Sequence, residues 1–153
     1  TAALLATETG AAEDTDNDFV VGSIGDKVSD FTTASDKFHF AAAGVTNAIG
    51  TEVDTLISIG NGGTVTNVAR FVEVTVAQAN GQMGTHIAEL DSLITTAVAV
   101  GDSFIAFLND GTDGYLYIVQ QASVSDTIAA ADVTLIGQVT GVTNVANGDF
   151  VSF

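Results

Sequence analysis

Nineteen aspartate and glutamate side chains stand against three lysines and arginines in this chain of 153 residues, a formal net charge of -16 at pH 7. A chain charged in this way repels itself when compact. Lys27, Lys37 and Arg70 supply its positive charge. Three cations cannot offset phosphate, because counterion release needs several Lys or Arg on one face. Nucleic acid and anionic membrane surfaces are therefore excluded as partners. The chain has no cysteine, which removes disulfides, thiol nucleophiles and thiolate metal sites together. Stability has to come from packing, or from a cation that prefers oxygen ligands.

Hydrophobic residues make up 46% of the sequence, enough to build a core and too many for intrinsic disorder. No apolar run approaches the roughly 20 residues of a spanning helix, since Gly, Asn, Asp or Thr interrupts each one. Membrane insertion is not expected. Residues 1–10 have neither an initiator Met nor the basic start of a signal peptide, and read as a processed end or a fragment. The expected organisation is an arm and acidic loop over residues 1–18, then a single β-rich domain over 19–153.

Short apolar runs at 19–21, 28–31 and 38–40, separated by Gly or Asp, predict short strands of a coil or sandwich. Leu56 to Ile59 precede Gly60, Asn61, Gly62 and Gly63, a strand followed by a tight turn. Alternation over 65–76 predicts another strand, with Arg70 and Glu73 inside it. Ile87, Leu90, Leu93, Ile94 and Val98 recur at three- and four-residue spacings, so 84–100 reads as one amphipathic helix with Thr85 as its cap. Apolar runs at 104–108 and 115–119 flank Asn109, Asp110, Gly111, Thr112, Asp113 and Gly114, residues that favour the left-handed backbone of a hairpin turn. A short helical turn near 127–132 precedes a strand over 133–139. The fold class is mostly β: short β-roll or sandwich strands at the start, a hairpin-rich core and one helix.

Residues 13–40 read EDTDNDFVVGSIGDKVSDFTTASDKFHF. Within them, Asn17-Asp18-Phe19-Val20-Val21-Gly22, Asp26-Lys27-Val28-Ser29-Asp30-Phe31 and Asp36-Lys37-Phe38-His39-Phe40 resemble the junction at which RTX calcium repeats of type I secreted bacterial proteins end. The order, spacing and residue classes agree across this stretch. Asp149-Phe150-Val151-Ser152-Phe153 is similar to the acidic-then-apolar tail of type I secretion substrates. The resemblance implies export by the type I secretion machinery, calcium-triggered folding, and a secreted or cell-surface location. The rest of the chain is similar in style to the C-terminal parts of surface-layer proteins, adhesins and matrix proteins.

Asp14, Asp16 and Asp18 alternate, so in an extended segment they converge on a hard cation, or else form a solvated acidic arm. Asp26, Asp30 and Asp36 fall near strand ends, where they bind calcium between coils or cap turns. These six form the candidate metal set. Asn109, Asp110 and Asp113 read as turn residues. His39 and His86 each lack a second His at zinc spacing. No Gly-x-Ser-x-Gly elbow occurs, and without Trp a sugar-cleaving cleft is not expected. Tyr115 and Tyr117 suit cross-strand or core packing better than sugar stacking.

The expected function is structural and not enzymatic. The chain is expected to be a secreted subunit that self-assembles into a surface layer, matrix fibre or filament in a calcium-dependent way. Residues 1–7, with Ala2, Ala3, Leu4, Leu5 and Ala6, are placed to join a neighbour by strand addition. The alternative is a C-terminal calcium-folding secretion domain of a larger adhesin or hydrolase.

Overall fold

The computed structural model describes residues 26–40, 53–59, 69–78, 83–93, 103–120 and 127–152. Eight strands and one α-helix lie among them: β1 (Asp26–Val28), β2 (Phe38–Phe40), β3 (Val53–Ile59), β4 (Ala69–Val74), α1 (Met83–Leu93), β5 (Ser103–Asn109), β6 (Gly114–Gln120), β7 (Val133–Val139) and β8 (Phe150–Ser152). The main sheet has the order β1-β7-β6-β5-β4-β3, and β2 pairs with β8 in a second, two-stranded sheet. The mostly-β expectation with one helix therefore holds. Residues 1–18 and 19–21 lie outside the described residues, as does the turn at 60–63.

Alternation along the central strands creates two apolar faces. In β5, Phe104, Ala106 and Leu108 enter one cluster while Ile105 and Phe107 enter the other. All seven β5 residues are buried, as expected of a strand covered on both sides. The first face takes Leu90 and Ile87 of α1. The opposite face packs against Phe38, Val142, Val145 and Phe150. In β7, Ile136 and Val139 share this second face despite their odd spacing. A register shift opposite Leu116 and Tyr117 explains it, since the step from Leu135 to Gly137 meets one residue step on β6.

The predicted hairpin is present: β5 and β6 pair antiparallel from Ser103 with Gln120 to Asn109 with Gly114. Asp110 Oδ1 accepts the N–H groups of Thr112 and Asp113, both at 2.8 Å, and Gly111 takes a φ of +91°. The turn reading of Asn109, Asp110 and Asp113 is thus met. β7 occupies 133–139 as expected, preceded by a 3-10 turn at Ala130–Asp132. The helix starts one residue before the expected 84; residues 94–100 lie outside the described residues. Thr85, expected to cap, is the third residue of α1.

The partners of the other strands are what the sequence pattern did not reveal. β3, β4 and β5 are mutually parallel, with α1 between β4 and β5 in the chain, a crossover that parallel neighbours require. The early strands pair with late ones, β1 with β7 and β2 with β8, both in parallel. Hydrophobic pattern sets which face of a strand is buried; its neighbour is chosen by tertiary packing. The first strand also sits earlier than the apolar run 28–31, at Asp26–Val28, because Phe31 leaves the strand path to stack on Phe38 at 4.2 Å.

Gly114 marks the tightest contact of the hairpin. A Cβ there would collide with the Phe107 ring and lie 2.7 Å from the Val142 carbonyl oxygen. Gly114→Ala should lose about 2 kcal/mol in chemical denaturation, whereas Gly148→Ala, whose nearest new neighbour is the flexible Lys37 Nζ at 3.7 Å, should stay within about 0.5 kcal/mol. Equal losses would contradict the packing described.

Candidate functional site

Carboxylates without cations need other donors, and in this fold backbone N–H groups supply them. Glu73 lies in β4 on the face that packs against residues 142–150, and it is buried. Its Oε2 accepts the Ser58 hydroxyl at 2.5 Å and its Oε1 accepts the Val145 N–H at 2.8 Å. Asp149, with no exposed surface, ends the 3-10 turn Asn147–Asp149. Its Oδ2 accepts the Ala146 N–H at 2.7 Å and its Oδ1 the Ala34 N–H at 2.6 Å. Lys37 Nζ stands 3.5 Å from the same Oδ1 and donates to the Ala34 carbonyl. Ala34 adopts a φ of +67°, a left-handed conformation that costs a non-glycine residue energy and that the Asp149 contact helps to hold.

Three further carboxylates tie loops together. Asp91 of α1 accepts the Ile128 N–H at 2.7 Å. Asp113 accepts the Gly141 N–H at 2.8 Å and the Gln138 side-chain amide at 2.6 Å. Asp132 accepts the Ala129 N–H at 2.9 Å. Ionised acceptors make stronger hydrogen bonds than neutral ones, so each clasp both satisfies a donor and fixes a connection. The result is a sheet whose covering segments are held by acid-to-backbone contacts.

A second polar group is buried on the α1 face. His86 Nδ1 and the Tyr117 hydroxyl share a hydrogen bond of 2.5 Å, both residues with no exposed surface. Burial lowers the His86 imidazole from 6.5 to about 4, against the opposing field of Asp110. Burial raises Tyr117 well above its ordinary value, helped by Tyr115 and Asp110. The pair is neutral at pH 7. The Tyr115 hydroxyl donates to Asp110 Oδ2 at 2.9 Å; burial and then Asp110 push Tyr115 up as well. Desolvation pushes Asp110 up, but the Asp113 and Thr112 N–H groups, the Tyr115 hydroxyl and His86 together bring it below its ordinary value. Tyr115 and Tyr117 are core residues and not a stacking surface for sugars.

The candidate metal residues are dispersed in what is described. Asp14, Asp16 and Asp18 lie outside the described residues. Asp26 opens β1 opposite Gly137. Asp30 and Asp36 are exposed in the loop between β1 and β2, and Asp36 Oδ2 accepts the Thr32 N–H at 2.7 Å. Asp36 therefore works as a turn residue in this loop. Among the described residues no three acidic or His side chains converge as an ion would require.

The roles of Glu73, Asp132 and Asp149 as acceptors of backbone N–H groups escaped the sequence reading, although a signal for two of them was present. Ala129-Ala130-Ala131-Asp132-Val133 and Ala146-Asn147-Gly148-Asp149-Phe150 share the pattern Ala-x-x-Asp followed by an apolar residue. In both, the Asp N–H bonds the Ala carbonyl at 2.9 Å and the Asp carboxylate returns to the Ala N–H. Each unit launches a strand, β7 or β8. Comparison with protein-family models, with curated proteins and with solved structures found no match to this chain.

Proposed function

We propose that this chain is a secreted, extracellular structural protein that self-assembles into a surface layer, matrix fibre or filament, with calcium drawing its acidic copies together. The observation that carries the reading is the edge of the main sheet. β3 is seven residues long, and no strand lies beyond it among the described residues. A long edge strand is a template for pairing with another chain. The Asn147 side chain takes one of its donors, the Leu56 N–H, at 2.6 Å, so strand addition there displaces one side-chain contact.

Calcium enters through charge. At -16 per copy, association is opposed by repulsion that a divalent ion bridging carboxylates relieves. Exposed Asp30 and Asp36 are available in the described part, and the proposal extends to Asp14, Asp16, Asp18 and Asp26. Sedimentation velocity in EDTA and then in millimolar calcium tests it: growth into large particles is expected, and an unchanged monomer would overturn it.

A second reading is favoured by the pairing of β1 with β7 and β2 with β8, which closes the early strands onto the late ones. Such a closed unit suits the calcium-folding secretion domain of a larger adhesin or hydrolase. Its signature in the same experiment is a compact monomer in calcium that expands in EDTA.

A further inference from the structure

We infer that residues 142–152 are an exchangeable closing segment, which docks onto a second copy of this chain through the contacts it makes within its own. The inference rests on the self-assembly reading and names the part of the chain that performs it. Apart from the local Asp149–Ala146 clasp, the described contacts that hold the segment come from residues far away in sequence. Val145 N–H donates to Glu73, Asn147 accepts from Leu56, and Asp149 accepts from Ala34. The Phe150 ring lies 4.9 Å from that of Phe71 and 5.5 Å from that of Phe38. β8 pairs in register with β2.

The connection to the rest of the fold is short and unobstructed. Gly141 is exposed, has a φ of +73°, and has no atom within 4 Å of the position a Cβ would take. It borders an open depression of about 280 Å³ between residues 31–33 and 141–144. Redirecting the backbone at this point gives up the Gly141 N–H bond to Asp113, and it displaces no side chain packed on Gly141 itself. Residues 142–152 carry a single charge, on Asp149, so the repulsion between acidic copies acts weakly on the segment itself. A swapped segment recreates the same contacts on the neighbour, so concentration and hinge strain decide between closed and exchanged forms. Exchange that returns to the first copy gives a dimer, and exchange passed onward gives a polymer.

The test uses the absence of native cysteine. His39 and Val151 are Cα partners in the parallel β2–β8 register, so the double variant His39→Cys, Val151→Cys tests for a disulfide across the seam. When the reduced protein is assembled in millimolar calcium and then oxidised, exchange yields a ladder of covalent dimers and larger species on a non-reducing gel. Oxidising dilute monomer in EDTA first should lock the segment and prevent later assembly. A second variant, with a few glycines inserted after Gly141, should assemble less, because a longer hinge relieves the drive to exchange. Polymers containing only intramolecular disulfides would overturn the exchange and leave self-assembly standing, by residues 1–7 for example. Assembly unchanged by the insertion would also overturn it. An unsubstituted chain that stays monomeric in calcium at every concentration would remove both the exchange and the reading beneath it.

Discussion

Asp149→Ala should destabilise the fold by about 3 kcal/mol, the range for removing a buried, hydrogen-bonded carboxylate and leaving a cavity. For a chain of this size that is a fall in Tm of roughly 10 °C. The substitution leaves the Ala34 and Ala146 N–H groups without their acceptor and Lys37 without its ion pair. It also frees the 3-10 turn that launches β8. Because β8 holds β2, and Phe150 covers Phe71, the loss should spread to the loop between β1 and β2. Asp30→Ala, at an exposed position of that loop, should change stability by less than about 0.5 kcal/mol. Denaturant titrations of the two variants give the comparison, and similar values would count against a structural role for the buried carboxylate.

Acid should weaken this protein through His86 at pH values where exposed groups contribute little. Its folded pKa is about 4, below the ordinary value of 6.5, chiefly because burial disfavours the charged ring. Between these values the unfolded chain binds a proton that the folded chain does not. The stabilising effect is complete above about pH 6.5 and is lost as the pH falls toward 4. The difference corresponds to about 3 kcal/mol. Tyr117 and Tyr115 pack against the ring and Asp110 acts on it through its field, and the tyrosines stay protonated throughout. His86→Gln does not titrate here, so its stability should fall less between pH 7 and pH 4 than that of the unsubstituted chain. Parallel curves would show that His86 does not titrate as its burial implies.

Local chemistry was legible in the residues, and long-range pairing was not. The β5–β6 hairpin could be read because Asn109, Asp110 and Gly111 dictate the turn by their own backbone and side-chain preferences. α1 showed in the spacing of Ile87 and Leu90, which the structure places in one apolar cluster. β1 and β2 were visible as short runs, yet their partners β7 and β8 lie at the far end of the described chain, and no local signal carries that information. The run at 28–31 misled because Phe31 is needed against Phe38 and not in the ladder. Tyr115 and Tyr117 followed the expected core role, each with its hydroxyl on a polar partner.

The acidic residues show the same division. An Asp near a strand start reads equally as a calcium ligand, a turn former or a solvated charge, and only the fold distinguishes them. Asp36 folds back on Thr32 and Asp110 organises the hairpin, both local roles. Glu73 reads as one polar position in an apolar strand, and its partners Ser58 and Val145 come from opposite sides of it in sequence. Asp132 and Asp149 share a local unit, but only Asp149 reaches Ala34, a contact that depends on β2 and β8 being paired. The carboxylates that shape this fold are those whose donors arrive from far away.

Amide hydrogen exchange at Ala34, Val145 and Ala146 tests most directly whether buried carboxylates close this fold. All three N–H groups end on Glu73 or Asp149 and lie in segments that would otherwise be ordinary exposed loops. They should exchange slowly and with a common opening free energy, and Asp149→Ala should accelerate all three together. Rapid, independent exchange at loop rates in the unsubstituted chain would contradict the account.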